Sequence, residues 1–128
     1  MTADLKKVLI VEDDFLLLEI LSKKFIKSGF DVNIAINGEE CMKVLKSRKP
    51  DIIILDIVMP VMDGFEVLQQ MRSLAELSSI PVIVLSNLGR EEDAQKAKSM
   101  GAKDFLVKSN FTTQEIVDKV SNMLKSKT

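Results

Sequence analysis

Asp51-Ile52-Ile53-Ile54-Leu55-Asp56-Ile57-Val58-Met59-Pro60-Val61-Met62-Asp63-Gly64 decides how the chain is read. Four consecutive apolar residues, Ile52 to Leu55, run into a single carboxylate, Asp56. An unbroken apolar run of this length, closed by Pro60 and by Asp63-Gly64, reads as a strand covered on both faces. Burying an unpaired charge inside such a strand is expensive, so Asp56 is expected to emerge at its C-terminal end. In an open α/β sheet that is the edge where ligands bind. An aspartate that merely caps the next turn would leave the same local pattern.

Outward from that stretch, one alternation repeats. Lys7 to Val11 is a first strand, followed by a helical pattern from about Phe15 to Ser28 with Leu17, Leu18, Leu21, Phe25 and Ile26, closed by Gly29. Val32 to Ile36 carries a polar Asn33 and suits a less buried edge strand. Asn37-Gly38 breaks it, and a second helix starts at Glu39-Glu40 and ends at Pro50. Asp51 to Asp56 is the third strand, and Gly64 opens a third helix through Met71. Ile80 to Leu85 is the fourth strand, with Pro81 near its start where a missing donor does least harm. A polar helix from Arg90 to Met100 ends at Gly101, Asp104 to Lys108 is a fifth strand, and Thr112 or Thr113 caps a last helix. Five strands alternating with five helices imply an α/β fold, a parallel sheet with helices on both faces. Residues 1–128 are expected to form one domain, because no linker, repeat or low-complexity stretch interrupts the alternation.

Composition narrows the function. The chain has 18 basic and 19 acidic residues, a net charge of −1, so it offers no electrostatic footprint for direct nucleic-acid or membrane binding. No apolar run reaches membrane-spanning length, and the start, MTADLKK, has no apolar stretch fit for a secretory signal; a cytoplasmic location is expected. The one cysteine, Cys41, stands at helical spacing with Val44 and Leu45 and reads as a core thiol rather than a nucleophile. With no histidine there is no imidazole base and no histidine-containing zinc site. No glycine-rich phosphate loop is present.

The polar residues at the strand ends carry the chemistry. The first strand ends in Glu12-Asp13-Asp14, the third in Asp56, the fourth in Ser86-Asn87 and the fifth in Lys108-Ser109. A parallel sheet brings all four ends to one rim. Two carboxylates about 5 Å apart repel by about 3 kcal/mol at an effective dielectric of about 20. A pocket holding Glu12, Asp13 and Asp56 therefore needs positive charge. Lys108 supplies one unit, and a hard divalent cation with oxygen ligands, Mg²⁺ by preference, supplies the rest. Such a site suits phosphoryl transfer: Asp56 as nucleophile, the metal and Lys108 against the phosphoryl oxygens, and Ser86 as a donor. An acidic rim that binds stray cations is the plainer alternative.

In order and spacing, Leu9 to Asp14 (LIVEDD), Leu55 to Gly64 (LDIVMPVMDG), Val84 to Ser86 (VLS) and Gly101 to Lys108 (GAKDFLVK) resemble response-regulator receiver domains, the phosphoacceptor modules of two-component signalling. The resemblance spans essentially the whole chain. It implies a flavodoxin-like (CheY-like) fold with strand order 2-1-3-4-5 and Asp56 as the phosphorylation site. It implies Asp13 as a direct Mg²⁺ ligand, Glu12 acting nearby, often through water, and the backbone carbonyl of Val58 as a further ligand. Ser86 and Lys108 would contact the phosphoryl group. The donor would be a phosphohistidine on a sensor histidine kinase or phosphotransfer protein. The protein would catalyse only its own phosphorylation and dephosphorylation. A switch through Ser86 and Phe105 would change how a downstream protein target meets the face made by the helix before the fifth strand, that strand and the last helix (the family's α4-β5-α5 face). The chain would be a monomer or a phosphorylation-dependent dimer.

Three departures from the family pattern stand out. Ser109 follows Lys108 where proline is usual, so the bond is expected either trans with a different local loop or cis under strain. Phe105 replaces a common tyrosine and reads equally as switch or as core. Asn87 replaces a small residue and would either crowd the pocket or bond to the phosphoryl group. Val58 and Leu88 occupy positions that tune dephosphorylation in the family; both are apolar, which implies a long-lived aspartyl phosphate. A pseudo-receiver that binds proteins without taking phosphate is the rival reading. An Asp-nucleophile phosphatase would need a cap and an extra acid–base residue, and a flavin binder would be repelled by Glu12-Asp13-Asp14.

Overall fold

A computed structural model describes residues 5–125; the ends of the expected domain, 1–4 and 126–128, lie outside the described residues. The strands are β1 (Lys7–Val11), β2 (Asp31–Ala35), β3 (Ile52–Leu55), β4 (Val82–Ser86) and β5 (Asp104–Val107). The helices are α1 (Phe15–Lys27), α2 (Gly38–Ser47), α3 (Gly64–Arg72), α4 (Ala75–Ser78), α5 (Glu91–Ser99) and α6 (Thr113–Lys125). One parallel sheet runs β2-β1-β3-β4-β5, the flavodoxin-like order. β2 is an edge strand, and its residues are less buried than those of β1, β3 and β4.

Alternating side chains along each strand leave opposite faces, so each strand feeds two cores. Val8, Ile10, Ile52, Ile54, Ile83 and Leu85 pack with Leu18, Leu21 and Phe25 of α1 and with Ile116, Val117 and Val120 of α6. Leu9, Val11, Ile53, Leu55, Val82 and Val84 pack with Cys41 and Leu45 of α2, Val67, Leu68 and Met71 of α3, and Ala97 of α5. Cys41 is fully buried there, and burial pushes its thiol up to about 12, so it is core and not a nucleophile.

The described residues hold six α-helices rather than five. The extra one, α4, is a single turn after the Ser73 cap of α3, anchored by the buried Leu77. A turn this short carries too little hydrophobic period to be read from sequence. Ile26 is also a correction: it is 60% exposed, because one residue beyond Phe25 is a rotation of about 100° away from the core. Thr112 is the residue that caps α6: its Oγ1 accepts from Glu115 N–H at 3.1 Å, and Glu115 Oε1 accepts from Thr112 N–H at 2.8 Å.

The loop between β3 and α3 is strained at one residue. Val61 has φ 72°, and Met62 N–H donates across it to the Pro60 carbonyl at 2.8 Å, a three-residue turn. Positive φ in a β-branched residue costs about 1–3 kcal/mol. Val61 is 72% exposed, so its side chain returns little of that by packing. Val61→Gly is expected to raise stability by about 0.5–1 kcal/mol, the relief of φ strain being larger than the added chain entropy of glycine. The midpoint of urea unfolding checks this, and a lowered midpoint would contradict it.

Candidate functional site

All four strand ends named from sequence meet at one rim. Glu12 follows β1 directly and is 2% exposed; Asp56 follows β3 and is 4% exposed; Ser86, the last residue of β4, is fully buried. Backbone pairing sets their positions: Asp56 N–H donates to Val11 O and Glu12 N–H to Ala35 O, both at 3.0 Å. Carboxylate oxygens of Glu12, Asp13 and Asp56 lie within 4.8 Å of one another. Lys108 Nζ reaches over them from the end of β5, 2.8 Å from Glu12 Oε1 and 3.3 Å from Asp56 Oδ2.

The electrostatics follow from that packing. Burial, then the neighbouring Glu12 charge, raise the Asp56 carboxyl to about 7, against the opposing pull of Lys108. Burial works against charge on Lys108. Its hydrogen bonds and ion pairs with Glu12 and Asp56 outweigh that and hold its pKa above the ordinary lysine value. One ammonium thus leaves Asp56 only marginally ionised near neutral pH. The donor set is all oxygen, three carboxylates in a chain without histidine, which fits a hard cation such as Mg²⁺ and not zinc. Val58 is exposed, and among the described residues no hydrogen bond uses its carbonyl, which leaves that oxygen for an ion.

The flanking residues sort by local structure. Asp14 is the N-cap of α1: its Oδ1 accepts from Leu16 N–H at 3.0 Å and Leu17 N–H at 3.3 Å, and its own N–H donates to Glu12 Oε2 at 3.0 Å. It orients Glu12 and stands apart from the acidic cluster. Ser86 Oγ accepts from Leu88 N–H at 3.1 Å, which folds the start of the β4–α5 loop back on itself. Asn87, next to Ser86, is exposed. Phe105 is half-buried against the core on the α5 side of the sheet.

At Lys108–Ser109 the trans alternative holds, since no cis peptide bond occurs among the described residues. The chain goes into a short 3₁₀ turn, Lys108–Asn110. Lys108 reaches both carboxylates without the usual proline after it.

Sequence reasoning missed the role of two glycines. A Cβ on Gly64 would collide with the Asp56 carbonyl oxygen and lie 2.8 Å from Ile57 Cα. A Cβ on Gly38 would collide with the Met62 carbonyl oxygen. Read locally, each was only a turn residue; the contacts that require glycine come from another loop or from earlier in the same loop.

Known proteins share this arrangement. A family model described as the response regulator receiver domain matches residues 8–121. The probable transcriptional regulator ycf29 of Porphyra purpurea is 37% identical over 117 residues, which cover 91% of this chain and 56% of that protein. The chain spans about half the length of the curated relatives it matches. Among solved structures, the receiver domain of Francisella response regulator 1452 superposes with a TM-score of 0.88 at 29% identity, over 96% of this chain and 99% of that one. The phosphorylated cyanobacterial phytochrome response regulator RcpA superposes with a TM-score of 0.86 at 27% identity, over 98% and 97%. Fold, rim and family match agree, and the chain belongs to the response regulator receiver domains.

Proposed function

We propose that this domain accepts a phosphoryl group on Asp56 from the phosphohistidine of a sensor histidine kinase or phosphotransfer protein, with Mg²⁺ held by Asp13, Asp56, the Val58 carbonyl and, nearby, Glu12. The observation that carries this is Lys108 bridging two buried carboxylates, Glu12 and Asp56, at a rim that still holds more negative than positive charge. A carboxylate oxygen of Asp56 attacks phosphorus, the phosphorus–nitrogen bond to the donor imidazole breaks, and an aspartyl phosphate forms. Mg²⁺ held by these oxygens would supply positive charge against the phosphoryl group. Lys108 favours the ionised, attacking form of Asp56 and then faces the new phosphoryl oxygens. Ser86 donates its hydroxyl to one of them while Asp14 keeps Glu12 oriented. The domain is not an enzyme on other substrates; it catalyses only its own phosphorylation and dephosphorylation.

Once Ser86 Oγ turns to the phosphoryl group, its bond to Leu88 N–H weakens and the β4–α5 loop is released. Phe105 turns inward, and the surface of α5, β5 and α6 changes affinity for a downstream protein. This is a population shift driven by contacts that exist only with the phosphate. A net charge of −1 gives this domain no basic footprint for nucleic acid, so the downstream step is read as control of a protein partner. No helix among the described residues is long and apolar enough to cross a membrane.

Incubation with acetyl phosphate, with Mg²⁺ or with chelator, separates this reading from a pseudo-receiver. Intact mass should rise by one phosphoryl group only with Mg²⁺; no rise in either condition would leave a protein-binding module. Persistence is a second expected result. Val58 is exposed and Leu88 half-buried, and neither side chain can orient an attacking water. The Val58→Asn/Leu88→Glu double variant should lose its phosphate about tenfold faster, less than the roughly 10²–10⁴-fold of a full general acid or base, because these side chains would only orient the attacking water. Equal half-lives would count against that assignment.

A further inference from the structure

The phosphoacceptor loop is gripped at two points. At its far end Gly64 N–H donates to the Ile57 carbonyl at 2.8 Å, with no room for a side chain against the Asp56 backbone. In its middle the Met62 carbonyl accepts from Gly38 N–H at 3.0 Å. A Cβ on Gly38 would overlap that carbonyl oxygen and stand 2.8 Å from both Met62 Cβ and Cγ. Gly38 is the first residue of α2, a helix that gives no side chain to the acidic rim.

The start of α2 is itself fixed. Asn37 Oδ1 accepts from Glu40 N–H at 2.8 Å, and Glu40 Oε1 accepts from Ile36 N–H at 3.0 Å. One and two turns on, Cys41 and Leu45 are buried in the core. The helix is therefore the hard side of the contact, and the loop, with Pro60 and Val61 exposed, is the soft side. Directly before the Met62 grip, Val61 holds φ 72°, a conformation that a β-branched residue keeps only when its surroundings impose it.

We propose that Gly38 is a positioning residue for the phosphoacceptor loop: its contact with Met62 sets the shape of the segment carrying Asp56 and the Val58 carbonyl, and so sets Mg²⁺ affinity. The inference rests on the Mg²⁺-dependent reading above. A methyl at position 38 must displace backbone, not the tip of a flexible side chain. The displacement falls on Pro60 to Met62, two residues from Val58.

Gly38→Ala is compared with Leu45→Ala, which damages the core packing of the same helix but leaves the Gly38–Met62 backbone contact free of any added atom. In metal-free protein, Gly38→Ala should shift the backbone amide resonances of Val58, Val61 and Met62, and Leu45→Ala should leave them in place. By calorimetric titration with MgCl₂, Gly38→Ala should weaken Mg²⁺ binding about tenfold, with Leu45→Ala within twofold of wild type. Equal affinities for wild type and Gly38→Ala, or equal losses in both variants, would overturn the proposal. In unmodified protein the coupling is reciprocal, so saturating Mg²⁺ should slow exchange of the Gly38 amide hydrogen; unchanged exchange would overturn it as well. If wild type bound no Mg²⁺, the phosphoacceptor reading would fall, while the metal-free amide shifts would still decide whether Gly38 shapes the loop.

Discussion

Lys108→Met is expected to destabilise the metal-free protein by about 2–3 kcal/mol at pH 8 and to slow phosphate uptake by about a hundredfold. Its Nζ lies 2.8 Å from Glu12 and 3.3 Å from Asp56, whose side chains are only 2% and 5% exposed. Breaking a buried pair by removing one partner costs about 3–5 kcal/mol, because a charge is left uncompensated. Lys108 itself keeps 14% of its side-chain surface in water, which puts the figure below that range. With the ammonium gone, the effects that raise Asp56 act unopposed, and its pKa climbs further above about 7. The penalty should shrink below about pH 5, where Asp56 is already protonated, and shrink again in saturating Mg²⁺, which supplies the missing charge. The loss in rate follows from removing one preorganised charge at the transferring group, typically worth 10²–10³-fold. Urea titrations at pH 5 and pH 8, with and without Mg²⁺, check the first part. A penalty independent of pH would mean that Lys108 acts through packing and not through its charge.

Asp56→Asn is expected to make the metal-free protein more stable, on the order of 3 kcal/mol at pH 8. Burial and Glu12 raise the folded-state pKa of Asp56 from 3.8 to about 7. Between those values the folded state binds more protons than the unfolded chain, so stability falls as pH rises from about 4 to 7 and then levels. Three units at 1.36 kcal/mol each set the scale, reduced for the coupling to Glu12 and Lys108. Asparagine fills the same space and does not titrate. The gain should therefore be absent near pH 4 and complete above pH 7. Mg²⁺ should reverse the ranking, because it binds the ionised carboxylate that the variant lacks, and wild-type affinity for Mg²⁺ should rise with pH up to about 7. Thermal unfolding from pH 4 to 8 gives the result; a variant less stable than wild type at pH 8 without metal would contradict it. A site that weakens its own fold in this way has been held for chemistry rather than for stability.

Much of this was legible in the chain because of how parallel sheets are built. Strands covered on both faces read as apolar runs, so Lys7 to Val11, Ile52 to Leu55 and Val82 to Leu85 stand out. The first polar residue after each run marks the rim, which is why Glu12, Asp56, Ser86 and Lys108 could be placed together before any coordinates. What stayed hidden depends on contacts between loops. Hydrophobic period reports which way side chains point along one element. It says nothing about Gly38 meeting Met62, or about Lys108 lying nearer Glu12 than Asp56. The Val61 turn is invisible for a related reason: nothing in a β-branched residue announces positive φ. The turn at Ala75–Ser78 is too short for any period to register.

The claim on which the rest depends is that Asp56 itself becomes the acyl phosphate. Borohydride reduces an aspartyl phosphate to homoserine and leaves free carboxylates alone, so the most direct measurement is peptide mapping after treatment with acetyl phosphate and Mg²⁺, then borohydride. Homoserine at position 56, with Asp13 and Asp14 intact and Glu12 not reduced to 2-amino-5-hydroxypentanoate, is the predicted result. Mass gained without homoserine at position 56, or the same gain in Asp56→Asn, would contradict it.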